Sequence, residues 1–298
     1  MLDPADLFTI APDRPDLGQP VMVVALDGFV DAGAARRLAV EHLLATGEPE
    51  TVVTFDVDQL HDYRARRPAM LFVEDHWETY DAPSLTVQAL RDAAGTPYLL
   101  LHGPEPDVQW ERFARAVRLV VDALDVRLTI GLNAIPMAVP HTRPAGVIAH
   151  GSAKELTEGF DAWVATVQVP GAAGHLLEFR LGQDGLAAAG FAVHVPHYVA
   201  NAPYPGAAAS LVDAIARVSG LSLPTAALAE AAVETRRLID EQVTDNAEVE
   251  AVVRTLEEQY DSFVASRGGL LPDGRPLPTG EELGAELERF LADQPRPD

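Results

Sequence analysis

VMVVALD, Val21 to Asp27, runs directly into GFVDAG, Gly28 to Gly33, and then into AARRLAVEHLLATG, residues 34–47. The first segment is an unbroken apolar run rich in valine, with no alternation of polar side chains. Such a run is the pattern of a strand buried on both faces, as in a parallel sheet covered by helices. The glycines mark a turn. The third segment carries Leu38, Leu43 and Leu44, with alanines between, as the apolar face of a helix. Whether this strand–turn–helix rhythm repeats decides the fold class.

It repeats. TVVTFDV (51–57), MLFVED (70–75), PYLLLHG (97–103), VRLTIGLNA (126–134), GVIAHGS (146–152) and FAVHVPHYVA (191–200) read as strands, and WVATVQVPG (163–171) continues the β signal. SLTVQALRDAAG (84–95), VQWERFARAVRLVVDAL (108–124), HLLEFRLGQDG (175–185) and GAAASLVDAIARVSG (206–220) read as helices. The second of these sets Trp110, Phe113, Val117, Val120, Val121 and Leu124 at helical spacing. Alternating strands and helices predict an α/β fold with a mostly parallel central sheet and helices on both faces.

From Pro224 the chain turns helical and acidic. AEVEAVVRTLEEQYDSFVAS (247–266) aligns Val249, Val252, Val253, Leu256, Tyr260, Phe263 and Val264 on one stripe, and Thr279 and Glu282 stand at capping-box spacing ahead of a further helix, TGEELGAELERFLAD. The expected organisation is an N-terminal arm over 1–19, an α/β core over 20–223 and a helical C-terminal extension over 224–298.

Composition narrows the function. Of 298 residues, 48% are hydrophobic, so a large core forms without disulfide or metal staples. The chain has no cysteine, which removes disulfides, thiolate metal sites and a cysteine nucleophile together. Its opening, MLDPADLFTIAPDRPDLGQP, is acidic and proline-rich rather than a basic segment followed by an apolar one, and no apolar run approaches the roughly 20 residues of a spanning helix. A soluble, cytoplasmic protein is expected. The net charge of −23 repels nucleic acid and anionic membranes, so neither is an expected partner. Lys154 is the single lysine, and arginine carries the remaining positive charge.

In a parallel sheet the functional crevice lies beyond the carboxyl ends of the strands, and unusual polar residues gather there in this sequence. Asp27 and Asp31 follow the first strand. Asp58 and HDYRARRP (His61 to Pro68) follow the second, Glu74 and Asp75 the third, and HTRP (His141 to Pro144) the fifth. Arg64, Arg66 and Arg67 concentrate three positive charges in four residues of an acidic chain. They serve either an ion-pair network that neutralises an acidic rim, or a site for an anion or a protein partner. His141 and Arg143 sit between Pro140 and Pro144 in a stiff loop, which suits a preorganised site and a plain crossing equally.

No motif specifies a reaction. HExxH is absent, and His194 and His197 are three apart, on opposite faces of a strand, so no metal site is expected. There is no GxSxG elbow, and Ser152 reads as a turn cap. GxGxxG and GxxxxGK[ST] are both missing, which leaves no cofactor signature. No residue is assigned a catalytic role.

Taken together, LDGFVDAGAA, DYRARRP, NAIPMAVPHTRP, PHYVANAPYP and LPTGEELGAELERFL resemble the PAC2 family of proteasome assembly chaperone-like proteins, and more narrowly its actinobacterial branch, from about residue 20 to about residue 292. The resemblance implies a phosphorylase/hydrolase-like α/β core with a helical extension. It also implies a non-catalytic interaction or assembly role, a proteasome-related protein partner and a homo-oligomer. Relatives that insert a C-terminal hydrophobic–Tyr–any-residue tail differ from this chain's ADQPRPD, so contact through another surface is expected. The alternative is a small-molecule enzyme or sensor at the carboxyl edge. There Asp27, Asp31, Arg64, Arg66, Arg67, His141 and Arg143 would line a site for an anionic ligand, with His141 as a possible general base.

Overall fold

The computed structural model describes residues 2–28, 30–46, 49–160 and 166–267. The TGEELGAELERFLAD segment lies outside these described residues.

An eight-stranded sheet organises the molecule. Its strands are β1 (Phe8–Ile10), β2 (Val21–Asp27), β3 (Glu50–Phe55), β6 (Thr86–Arg91), β7 (Pro97–Pro104), β8 (Leu128–Met137), β9 (Val147–Gly151) and β10 (Ala188–Pro196). They lie side by side in the order β1-β3-β6-β7-β2-β8-β10-β9. The four central strands β7, β2, β8 and β10 are mutually parallel, and the flanking pairings are antiparallel. The parallel character read from VMVVALD is therefore confined to the middle, where burial on both faces is complete. Met22, Val23, Leu99, Leu100, Leu101 and Ile130 are all fully enclosed.

Helices cover both faces. On one side α2 (Trp110–Ala123) and α3 (Ala173–Gln183) pack Phe113, Val117, Leu177 and Leu181 against Met22, Leu99 and Leu101. On the other, α1 (Ala35–Ala45) and α4 (Pro205–Ser219) pack Ala39, Leu43, Leu211 and Ile215 against Val23, Leu100 and Ile130. Neighbouring strand residues thus feed opposite cores, as a period of two requires. Helix α4 ends at Gly220, whose φ of 77° closes its C-terminus. Beyond it α5 (Ala226–Thr244) lies on α4, joined through Leu228, and α6 (Ala247–Arg267) returns beside α5.

Three local expectations are corrected. SLTVQALRDAAG is a strand, β6, rather than a helix: Leu85, Val87 and Ala89 join one core and Leu90 the other. Insertion between β3 and β7 overrides the helix-forming alanines, glutamine and leucines. MLFVED does not enter the main sheet. It forms β4 (Met70–Val73), which pairs only with β5 (His76–Tyr80) as a separate hairpin. The β signal of WVATVQVPG is not realised in its described part, since residues 166–171 carry no regular structure.

The segment read as an arm supplies β1, which pairs with β3 at the sheet edge. It is tied down by Arg112 of α2, a buried guanidinium that donates from Nε and Nη2 to the Asp3 carbonyl at 2.9 and 2.7 Å.

Candidate functional site: the carboxyl edge of the central strands

β6 runs antiparallel between β3 and β7, so β3 and β7 point the same way, and the loop after β3 emerges at the same edge as the ends of β7, β2, β8 and β10. The polar residues named from sequence reach that edge but divide among separate clusters.

The first cluster surrounds Arg36 of α1, which is only 5% exposed. Its Nη2 lies 3.5 Å from both the Asp27 and Asp31 carboxylates. Asp31 also accepts the backbone N–H groups of Arg36 and Arg37, at 2.8 and 3.1 Å, and so satisfies the orphan donors at the start of α1. The turn is locked further at Gly33. Its φ is 64°, its N–H donates to the Ala200 carbonyl, its carbonyl accepts from Tyr204, and a Cβ there would come within 2.7 Å of Tyr204 Cβ. Asp31 to Gly33 therefore form a helix-capping turn welded to the loop before α4. Burial pushes the Asp27 carboxyl above its ordinary range, more than Arg36 lowers it, while one side of the group stays open to solvent. Burial likewise pushes His102, on β7, below the ordinary imidazole range, against the pull of Asp27.

The second cluster answers for part of HDYRARRP. Arg66 reaches Asp107 with Nη2 at 2.8 Å and Nε at 3.3 Å, and donates to the Glu105 carbonyl. Asp107 also accepts the backbone N–H of Asp62 at 2.6 Å, and His61 Nε2–H donates to the Arg66 carbonyl at 2.8 Å. Burial would raise the Asp107 carboxyl, but Arg66 and that backbone N–H hold it below the ordinary carboxylate range. Tyr63 adds a bond to Asp58 at 2.5 Å. The side chains of Arg64 and Arg67 take no part: both residues are exposed, and neither has an ion-pair partner among the described residues, though the Arg64 N–H donates to Asp62 at 2.9 Å.

The third cluster is HTRP. His141, 4% exposed, receives Tyr198 of the turn after β10 at Nδ1 (2.6 Å) and faces Asp240 of α5 at Nε2 (2.9 Å). The backbone N–H of His141 donates to the same Tyr198 oxygen at 2.8 Å. All three bonds are satisfied when the tyrosine O–H donates to Nδ1 and Nε2–H donates to Asp240. Burial pushes the Tyr198 hydroxyl up to about 12, against the lowering effect of the His141 N–H. Thr142 donates to Glu257 of α6, and Arg143 grips Asp261 bidentately, at 2.8 and 2.7 Å, while Nη1 reaches Glu257 at 3.2 Å. The stiff loop is thus a fastening point for both C-terminal helices.

Arg36 brings Asp27 and Asp31 together, and Arg66 is linked to Asp27 through Glu105, whose carbonyl accepts from Arg66 and whose N–H donates to the Asp27 carbonyl at 3.3 Å. His141 and Arg143 belong to a different junction. Arg36, Asp107, Tyr198, Asp240, Glu257 and Asp261 were not singled out from sequence, although each completes a pair with a residue that was. On the opposite face, His150 Nδ1 lies 2.8 Å from Glu178 of α3, with His175 beside it. No group of three or more His, Asp or Glu among the described residues is placed to hold a metal. No helix among them is long and apolar enough to cross a membrane.

Comparison with known proteins places this geometry. The chain superposes on the crystal structure of Rv2714, a Mycobacterium tuberculosis protein of unknown function, with 49% identity and a TM-score of 0.83 over 88% of this chain and 91% of that one. A Corynebacterium glutamicum protein of unknown function gives 37% identity and a TM-score of 0.83 over 87% and 98%. The Mycobacterium tuberculosis proteasome-assembly chaperone homologue Rv2125 gives 27% identity and a TM-score of 0.72 over 78% and 99%. No curated protein matches the chain. The PAC2 family model matches residues 25–243, which run from within β2 to α5 and take in β7, β8, β10, the capping turn and both charged loops, and the chain belongs to the PAC2 family.

Proposed function

We propose that this chain is a non-catalytic, assembly-chaperone-like protein of the cytoplasm that works as a homo-oligomer and binds a proteasome-related protein partner. The observation that carries this reading is the condition of the carboxyl edge. Most of the charged groups that would serve a ligand there are spent on one another or on the fold: Arg36 on Asp27 and Asp31, Arg66 on Asp107, Arg143 on Glu257 and Asp261. Two hollows lie away from that edge. One of about 660 Å³ runs along α5 past Val233, Arg236 and Thr244, and one of about 470 Å³ sits between Pro12 and Asp125. Neither is lined by Asp27, Asp31 or Arg66. Likeness to a structure described as a proteasome-assembly chaperone homologue supports the choice of partner.

The test is affinity purification of the tagged protein from its own host after brief cross-linking, followed by mass spectrometry. Stoichiometric proteasome subunits are the expected result. A stoichiometric small anion, with no protein and lost in an Arg64→Glu/Arg67→Glu variant, would overturn this reading in favour of a ligand site.

A further inference from the structure

Hydrogen bonds fix the HDYRARRP loop at several points. The Asp62 carboxylate accepts the backbone N–H groups of Arg64 and Ala65 at 2.9 and 3.3 Å, and the Asp62 carbonyl accepts those of Ala65 and Arg66 at 3.1 and 2.9 Å. Asp107 holds both the Asp62 N–H and the Arg66 guanidinium, while its own N–H returns to the Leu60 carbonyl at 2.8 Å. His61 closes the turn on the Arg66 carbonyl. The side chains of Arg64 and Arg67 stay outside this network, exposed and without ion-pair partners among the described residues.

Carboxylates are not scarce around the loop, but each already has a partner. Asp56 accepts from the Gln59 side-chain amide at 2.7 Å, Asp58 from the Tyr63 hydroxyl, and Glu105 from the N–H of Ala173 at the start of α3 at 2.5 Å. Asp62 and Asp107 are engaged as above. Two guanidiniums are therefore displayed from a fixed backbone on a chain of net charge −23. Each offers a planar fork of donors that matches a carboxylate through two parallel bonds. A turn held in advance loses little freedom when such bonds form.

Charge and size together select the occupant. A long polyanion, such as nucleic acid or an anionic bilayer, meets the repulsion of the whole acidic chain. A short acidic segment meets chiefly the local pair, because charges beyond about 8 Å are screened at physiological ionic strength. We propose that Arg64 and Arg67 form the contact for a short segment of the partner protein rich in Asp or Glu. This deepens the function proposed above by naming the chemistry of the partner, and it rests on the partner part of that reading. Exposed charges of this kind act on encounter, so the association weakens steeply with salt.

Titration of the full chain, labelled with nitrogen-15, with a tetraglutamate peptide tests it, followed by NMR at the arginine Nε–Hε resonances. Arg64 and Arg67 are expected to shift and saturate, while Arg66, already paired with Asp107, moves little. A tetraglutamine peptide should leave all three in place. Arg64→Lys/Arg67→Lys should keep weakened binding, since the charge remains and the fork is lost. Arg64→Glu/Arg67→Glu should abolish it with unchanged circular dichroism, and should lower recovery of the partner in the cross-linked pull-down by about tenfold or more. Shifts spread evenly over the exposed arginines, peptide binding that survives the double charge reversal, or saturation by inorganic phosphate at a lower concentration than by peptide would overturn the contact. The two readings fail separately. Proteasome subunits recovered equally with the wild type and the charge-reversed variant would sink this contact and leave the partner standing. An acidic protein other than a proteasome subunit, lost in that variant, would keep the contact and overturn the choice of partner.

Discussion

His141 and Asp240 meet at 2.9 Å across 99 residues of chain, the imidazole almost wholly enclosed and the carboxylate on the open flank of α5. Together with Arg143 and Asp261 they make the loop after β8 the point at which the C-terminal helices are held to the sheet.

Replacing His141 by alanine removes the acceptor of the buried Tyr198 O–H and the Nε2–H donor to Asp240, and leaves the backbone N–H of residue 141 on the Tyr198 oxygen. A loss of about 1–3 kcal/mol in unfolding free energy is expected, read by urea denaturation. An unchanged midpoint would mean that water or a rearranged loop replaces both bonds.

Arg143→Ala should act locally. Amide hydrogen exchange in α6 is expected to quicken several-fold, while β2, β7 and β8 keep their protection. Uniform acceleration across the sheet would show that the clamp supports the whole core rather than the extension.

Asp92 anchors the start of the extension from the other side. It is 9% exposed and accepts the backbone N–H groups of Ala94 and Thr96, at 2.9 and 2.7 Å, and of Ser222 at 2.7 Å. Burial pushes its carboxyl upward, but these donors prevail and hold it below the ordinary range. Asp92→Ala orphans all three donors and should cost on the order of 2 kcal/mol, measured by thermal or chemical unfolding.

Asp107 offers a test by pH. Its carboxyl titrates lower in the folded chain than in the unfolded one, so its contribution is fully present above the ordinary value of 3.8 and lost as pH falls through the lower folded value. The melting temperatures of wild type and Asp107→Asn should differ at neutral pH and converge in acid. Parallel curves would remove Arg66–Asp107 from the stability of the loop.

Gly103 tests the backbone of the edge itself. With φ at 127°, a Cβ would clash with the Ser84 carbonyl and stand 2.9 Å from Leu85 Cα. Gly103→Ala is expected to lose at least ~2 kcal/mol, seen as a lowered melting temperature or as insoluble expression.

Much of the body was legible because the decisive residues are neighbours in sequence. VMVVALD declares its double burial through six adjacent apolar residues, Val21 to Leu26, and Phe113, Val117 and Val121 declare α2 through a spacing any helix must have. SLTVQALRDAAG was misread because its leucines and alanines suit a helix. The signal that could have corrected it is Asp92 to Gly95, a turn between two apolar runs: Gly95 N–H donates to the Asp92 carbonyl and Asp92 N–H to the Thr96 carbonyl. The charged loops could be found but not interpreted. Asp107 lies 41 residues from Arg66, and Asp261 lies 118 from Arg143. Among 45 acidic residues, nothing local singles out those partners.

The clamp on HTRP also has a consequence in time. The loop after β8 leaves the ribosome long before its partners on α5 and α6, and at about 5–20 residues per second the interval to Asp261 is on the order of ten seconds. During that interval the nascent sheet carries an open, charged flank with a histidine that has yet to be enclosed. Helices α5 and α6, synthesised after that loop, therefore close this flank.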